Sequence, residues 1–269
     1  MLISMHGKQA LVTGAGTGIG RAIAYRLAEA GADFILVDIH RKNLEILKAE
    51  LATFQTQIAI HQMDISQKEA RLLLWQQIAD DKLDILVNNA GIYPSKDFLD
   101  VDEALAAHIF DTNLNSVIWL CQEMIRRRLN IGGVIINIAS IEAILPFKED
   151  LAHHSVSKAG VIALTRALVK EHAKHGFRVN VVLPGGIVTP RTIKVAEDMF
   201  RLRLEVFKTG YDFKQRLPIG RFGQPDEVAR IVLVLASELA SYVQGAVIPV
   251  DGGFCLLEAN PHQMLKRPP

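Results

Sequence analysis

The sequence predicts an α/β chain in which a doubly wound parallel sheet of about seven strands carries helices on both faces. Three observations carry this expectation. Short unbroken apolar runs alternate with stretches of helical periodicity along most of the 269 residues, which is the pattern of strands buried on both sides and joined by right-handed crossover helices. A glycine-rich turn joins the first run to the first helix. Composition is the third: 49% of the residues are apolar while the formal net charge is only +1, so the chain can bury a large core.

Taken in order, Lys8 to Val12 is short, apolar and β-prone. It leads into Thr13-Gly14-Ala15-Gly16-Thr17-Gly18-Ile19-Gly20, after which Ile19, Ile23, Leu27 and Ala30 recur at helical spacing. Strand, tight turn and helix form a phosphate cradle: glycines let the backbone approach a pyrophosphate, and the helix N-terminus offers N–H groups and a favourable dipole end. The spacing Gly14-x-x-x-Gly18-x-Gly20 differs from the G-x-G-x-x-G of dinucleotide-binding folds. A second apolar run, Phe34 to Val37, ends in Asp38, where a carboxylate would hydrogen-bond an adenosine ribose and repel a 2′-phosphate. NAD is therefore the expected cofactor and NADP the lesser one, since His40, Arg41 and Lys42 follow closely. A helix-capping role for Asp38, ahead of a helix over 41–52, is the alternative.

A helix over 42–51 and a strand over 57–63, closed by Asp64, come next. Ser66, with Glu69 three residues later, opens a predicted helix over 66–79. The strand Ile85-Leu86-Val87 ends in Asn88-Asn89-Ala90-Gly91, and one long helical stretch over 100–129 precedes a strand over 133–140. The helix predicted over 155–174 is apolar nearly all round, which suggests cover by a second subunit or by a neighbouring helix. A strand over 178–183 runs into the loop Pro184-Gly185-Gly186-Ile187-Val188-Thr189-Pro190. Residues 192–216 are weakly amphipathic and suggest a substrate lid. A helix over 225–239 and a strand over 246–250 complete one domain, residues 1–254, with a poorly ordered tail beyond it, residues 255–269. Ligands bind beyond the carboxyl ends of such strands, and Gly14, Asp38, Asp64, Asn89 and Ser140 converge on that rim.

Interspersed charges give no electrostatic reason to expect nucleic acid or an anionic membrane, so a small molecule is the expected partner. Met1-Leu2-Ile3 is too short for a signal-peptide core and no run is long enough to span a bilayer, so a cytoplasmic location is expected. Cys121 and Cys255 lack metal-type spacing and read as reduced, packed thiols, with no metal site.

The motifs together resemble the short-chain dehydrogenase/reductase family. Thr13 to Gly20 is similar to its T-G-x-x-x-G-x-G turn, Asn88 to Gly91 to its N-N-A-G, and Pro184-Gly185 to its P-G loop. Arg221-Phe222-Gly223-Gln224-Pro225 and Val250-Asp251-Gly252-Gly253 resemble its C-terminal signatures. The resemblance implies a Rossmann-type domain, a nicotinamide cofactor, hydride transfer between a secondary alcohol and a ketone, and a homo-oligomer, a tetramer or dimer. It implies cofactor contacts at Gly14, Thr17, Gly18, Ile19, Gly20, Asp38, Ile39, Asp64, Ile65, Asn89, Gly91, Lys158, Pro184, Gly185, Ile187 and Thr189.

The family's catalytic Asn, Ser and Lys match Asn113, Ser140 and Lys158, but its tyrosine, four residues before the lysine, corresponds to His154. Imidazole titrates near neutrality without help, and a lysine cation beside it favours the neutral base. Neutral histidine suits alcohol oxidation better than ketone reduction, directly or through a water. Three readings of His154 stand open: a working proton-transfer group, the mark of a catalytically impaired cofactor-binding regulatory or scaffold protein, or a peculiarity at an otherwise ordinary site. Tyr93 is a second hydroxyl near the rim, and His153 reads as a surface neighbour.

Overall fold

The computed structural model describes residues 3–79, 82–190, 192–193 and 216–257. Seven strands form one wholly parallel sheet: β1 (Gln9–Thr13), β2 (Asp33–Asp38), β3 (Ile58–Gln62), β4 (Leu83–Asn88), β5 (Gly133–Ile138), β6 (Phe177–Pro184) and β7 (Val247–Val250), in the order β3-β2-β1-β4-β5-β6-β7. The chain winds outward from β1 to β3, returns to place β4 on the other side of β1, and winds outward again. That reversal opens a crevice beyond the carboxyl ends of β1 and β4.

Side chains alternate across the sheet as strand geometry requires. Ala10 and Val12 of β1 face the layer made by α1 (Gly18–Glu29), α2 (Arg41–Leu51) and α7 (Pro225–Ala236), while Leu11 faces α3 (Lys68–Gln76), α5 (Ser116–Arg127) and α6 (Ala152–His172). The first layer buries Ile23, Leu27, Leu44, Leu47 and Val232, and the second Leu74, Leu120, Met124 and Val161, all fully or almost fully. Each such side chain contributes about 2 kcal/mol of burial. Arg26 of α1 forms an ion pair with Asp226 in the first turn of α7, tying the two neighbouring helices together.

Several boundaries differ from the sequence expectation. Ser66 does not cap α3: Asp64 Oδ1 accepts from the Ser66 amide at 2.9 Å, the turn this forms occupies residues 64–67, and the N-cap is Gln67. The expected helix over 100–129 is two helices, α4 (Glu103–Phe110) and α5, joined by a π turn over Asp111–Asn115. It begins where Asp102 Oδ1 accepts from the Leu105 amide at 2.7 Å. α6 starts three residues earlier than its periodicity suggests, at Ala152. Past Gly253, residues 254–257 form α8 (Phe254–Leu257), which buries Phe254, 1% exposed, against the Phe147 ring at 4.9 Å, and the rest of the expected tail lies outside the described residues. The proposed lid, residues 192–216, lies outside the described residues except for Thr192, Ile193 and Arg216.

Candidate active site

A cavity of about 1380 Å³ opens at the carboxyl ends of the strands. Of the residues singled out from the sequence, Gly14, Thr17, Gly18, Ile19, Asp38, Ile39, Asp64, Ile65, Asn89, Gly91, Ser140, His154, Lys158, Pro184, Gly185, Ile187 and Thr189 line it, and Gly20 and Asn113 do not. Both exceptions act from behind the wall. A Cβ on Gly20 would lie 2.1 Å from the Gly14 carbonyl oxygen, so this glycine lets α1 seat on the β1 turn. Asn113 is fully buried beneath the floor.

One end of the cavity suits a dinucleotide. Gly14 has φ +62°, and a Cβ there would meet Ala90 Cα at 2.9 Å, so the turn is shaped for close backbone approach. Thr17, the N-cap of α1, makes no side-chain hydrogen bond to the first turn, and no acidic residue sits in that turn. The positive end of the helix is thereby left to an outside anion. Asp38 does not cap α2, whose N-cap is His40. Its Oδ2 accepts from the Gly16 amide and its Oδ1 from the His40 amide, each at 2.9 Å. The carboxylate is thus pinned beside the glycine turn. Asn89 completes this end: its Nδ2 donates to the carbonyls of Thr13 and Gly14, both at 3.0 Å, and so locks the β4 exit to the β1 exit.

At the other end, the π turn sets Asn113 facing inward, and such insertions recur at functional sites because they re-aim a side chain. Asn113 Oδ1 accepts from the Ile92 amide and Nδ2 donates to the Ile92 carbonyl, both at 2.8 Å. Nδ2 also lies 3.1 Å from Ser157 Oγ and 3.5 Å from His154 Nδ1. His154, 8% exposed, carries Nδ1 at 3.2 Å from the Ile92 carbonyl oxygen. A carbonyl only accepts, and Asn113 Nδ2 spends its two hydrogens on the closer Ile92 carbonyl and Ser157 Oγ, so neutral imidazole satisfies both neighbours with its proton on Nδ1, leaving Nε2 as the basic nitrogen. Tyr93 meets the same ring edge-on, with centroids 5.8 Å apart, and His153 stacks on Phe98 at 5.5 Å.

Lys158 follows His154 by one turn of α6. Its Nζ donates to the Ile138 carbonyl at 2.9 Å, and burial pushes the ammonium down to about 8. Gly91 is kept small by this pair, for its Cβ would lie 3.2 Å from both Asn113 Oδ1 and Lys158 Nζ. Ser140 Oγ accepts from the Glu142 amide at 3.2 Å. The Pro184-Gly185 loop is packed against the C-terminal signature, where a Gly185 Cβ would come 2.7 Å from Asp251 Cβ.

Sequence reasoning missed the Ile92 carbonyl, which orients the imidazole, Ser157, whose hydroxyl accepts from Asn113 Nδ2, and Glu142, Phe147 and Phe222, which line the cavity. A backbone carbonyl leaves no sequence signal; Ser157 had one, lying one helical turn after His154. Among the described residues no group of His, Cys, Asp and Glu is placed to hold a metal ion, and no helix is long and apolar enough to cross a membrane. Neither Cys121 nor Cys255 forms a disulfide among the described residues, and burial pushes Cys121 up to about 12.

Comparison with known proteins bears on what this geometry performs. A family profile described as enoyl-(acyl carrier protein) reductase matches residues 14–255. The 3-oxoacyl-[acyl-carrier-protein] reductase FabG of Aquifex aeolicus is 36% identical over 260 residues, covering 94% of this chain and 99% of the relative. The 2-dehydro-3-deoxy-D-gluconate 5-dehydrogenase of Bacillus subtilis is 37% identical over 259 residues, covering 93% and 96%. A candidate NAD(P)-dependent gluconate 5-dehydrogenase of Beutenbergia cavernae, solved with NADP at low occupancy, superposes with a TM-score of 0.86 at 31% identity, over 95% of this chain and 100% of that one. These similarities do not favour a regulatory or scaffold role without turnover. The chain belongs to the short-chain dehydrogenase/reductase family and is an oxidoreductase of the kind that interconverts a secondary alcohol and a ketone with a nicotinamide cofactor.

Proposed function

We propose that the protein is an NAD(H)-dependent dehydrogenase in which His154 stands where the family's tyrosine stands and takes the proton of the substrate hydroxyl. The observation that carries this is the contact of His154 Nδ1 with the Ile92 carbonyl, which makes Nε2 the base. A nicotinamide cofactor bound in the cavity supplies the hydride acceptor. The glycine turn holds its phosphates, with Thr17, Gly18 and Ile19 at the helix end, and Ile39, Asp64, Ile65, Asn89 and Gly91 shape the rest of its berth. Pro184, Gly185, Ile187 and Thr189 close it from the β6 side.

Asn113 acts through others: it holds the Ile92 peptide by both polar groups and so fixes the acceptor that orients the imidazole. Ser140 binds the substrate oxygen. Lys158, charged below about pH 8, favours neutral imidazole and so favours alcohol oxidation. Asp38, with its charge fixed at the ribose end, favours NAD over NADP. The relative from Beutenbergia cavernae holds NADP, so coenzyme preference is a property to measure in this chain.

Ala152, Val156, Ala159 and Ala163 form an exposed stripe along α6, which supports burial of that face by a second copy in a homodimer or homotetramer. Two thiols with no disulfide among the described residues fit a reducing compartment such as the cytoplasm. The test of the catalytic reading is a pair of variants assayed for NAD-linked oxidation of secondary alcohols. His154→Ala is expected to lower kcat/KM by about 10² to 10⁴, and His154→Tyr to lower it as well. A rise of orders of magnitude in His154→Tyr would show that histidine is not the working group.

A further inference from the structure

The segment that leads from Ser140 to His154 also walls the space beside them. Phe147 and Leu151 of this segment line the same cavity as the two reacting residues. Two further rings join them: Tyr93, whose ring centroid lies 5.8 Å from that of the His154 imidazole, and Phe222, next to the Gly223 that bridges Ile187. Phe147 is held from two directions. Its amide donates to Glu142 Oε2 at 3.3 Å, and its ring meets the Phe254 ring at 63° with centroids 4.9 Å apart. Phe254 is 1% exposed, and the Arg216 guanidinium lies 4.9 Å from the centre of the same ring. Phe147 itself is partly buried, so a ring fixed from behind still presents surface to the cavity.

We propose that Phe147 is a specificity-determining residue and that the substrate class is secondary alcohols, and the matching ketones, that carry an apolar aryl or alicyclic ring packed against Phe147, Leu151 and Phe222. The inference rests on the reading of Ser140 and His154 as the reacting end. Other ligand chemistries fit less well. A polyol would press hydroxyls against carbon and leave them without partners. The nearest acid offers none, because the Glu142 carboxyl accepts from the Phe147 and Lys148 amides and its Oε1 is buried. A carboxylate would find Lys148, which is exposed, and charge pairing at an exposed site contributes little. An apolar ring brings area to remove from water and a shape that aromatic walls accept edge to face.

The experiment assays NAD-linked oxidation of two pairs of alcohols by the full chain. The first pair, 1-phenylethanol and 2-propanol, differs by a phenyl group in place of a methyl. The second, 3-pentanol and glycerol, matches atom for atom except that two methyl groups replace two hydroxyls. The wild type is expected to show a kcat/KM for 1-phenylethanol about 10- to 100-fold above that for 2-propanol, as a few buried carbons at roughly fourfold each would give, and to prefer 3-pentanol to glycerol by at least about 10-fold. Phe147→Ala should shrink the first ratio by about 10-fold and Phe147→Leu should keep most of it, both with wild-type affinity for NADH in a fluorescence titration. A first ratio equal in the wild type and Phe147→Ala overturns the proposal, and so does a wild type that prefers glycerol, an outcome independent of how the variants fold. If the wild type oxidises none of the four, the dehydrogenase reading fails. The dissociation constant of 1-phenylethanol from the NADH-saturated protein then decides the role of Phe147: about 10-fold weaker binding in Phe147→Ala supports it, and equal binding overturns it.

Discussion

Asp38 and Lys158 mark the two ends of the cavity, and in each a charge is held where water reaches it poorly or where the backbone fixes it. Because both Asp38 oxygens accept amide hydrogens from fixed backbone, the side chain cannot swing away from a 2′-phosphate. Like charges in such contact cost several kcal/mol. Asp38→Asn is therefore expected to narrow the ratio of kcat/KM for NAD over NADP by at least about 10-fold; an unchanged ratio would remove Asp38 from coenzyme selection. For Lys158 the sign of the pH effect follows from its pKa, pushed down to about 8 by burial, against about 10.4 in an unfolded chain. Between those values the unfolded chain binds more protons, so stability rises with pH as the cost of the buried cation is relieved. Urea unfolding is expected to show the wild type gaining on Lys158→Met by about 1 kcal/mol per pH unit from pH 8 to 10, with a flat difference as the contrary outcome. Residue identity made Asp38, Asn113, Ser140 and Lys158 visible in the sequence. The Ile92 carbonyl was not visible, because backbone aim arises only on folding.

Among the elements, the first strand, turn and helix wall one end of the cavity. Gly20 is not there for an unusual φ; it is there because α1 lies against the turn so closely that a Cβ would collide with the Gly14 carbonyl at 2.1 Å and Asn89 Nδ2 at 2.5 Å. Gly20→Ala is expected to cost about 2 kcal/mol or more of stability, as overpacking against backbone does, and to weaken NADH binding in a fluorescence titration; wild-type stability and affinity together would contradict this packing account. The strands were legible as apolar runs, since both faces of a parallel sheet are dry. Helix ends were less so. Asp64 diverts Ser66 from capping, and the π turn at Asp111–Asn115 has no hydrophobic signature, because inserting one residue leaves the apolar stripe of α5 intact from Val117 to Ile125. Phe254 escaped notice because a single aromatic carries no periodicity.

For the molecule as a whole, the sheet and the helix that follows β5 bring the glycine turn and His154 to one cavity beyond the carboxyl ends of the strands. The exposed side of α6 gives the assembly a test. Val156 is 59% exposed in the middle of that small-residue stripe, and light scattering is expected to report a dimer or tetramer of the 29.7 kDa chain, with Val156→Glu shifted to monomer. A monomeric wild type would leave α6 a solvent-facing helix. The central claim concerns proton transfer, and a crystal structure with NADH and a secondary alcohol bound tests it most directly. The account predicts the pyrophosphate on the amides at the start of α1 and the alcohol oxygen within hydrogen-bond reach of His154 Nε2, directly or through one water. A nucleotide seated elsewhere, or an alcohol oxygen held by another side chain with His154 turned away, would contradict it.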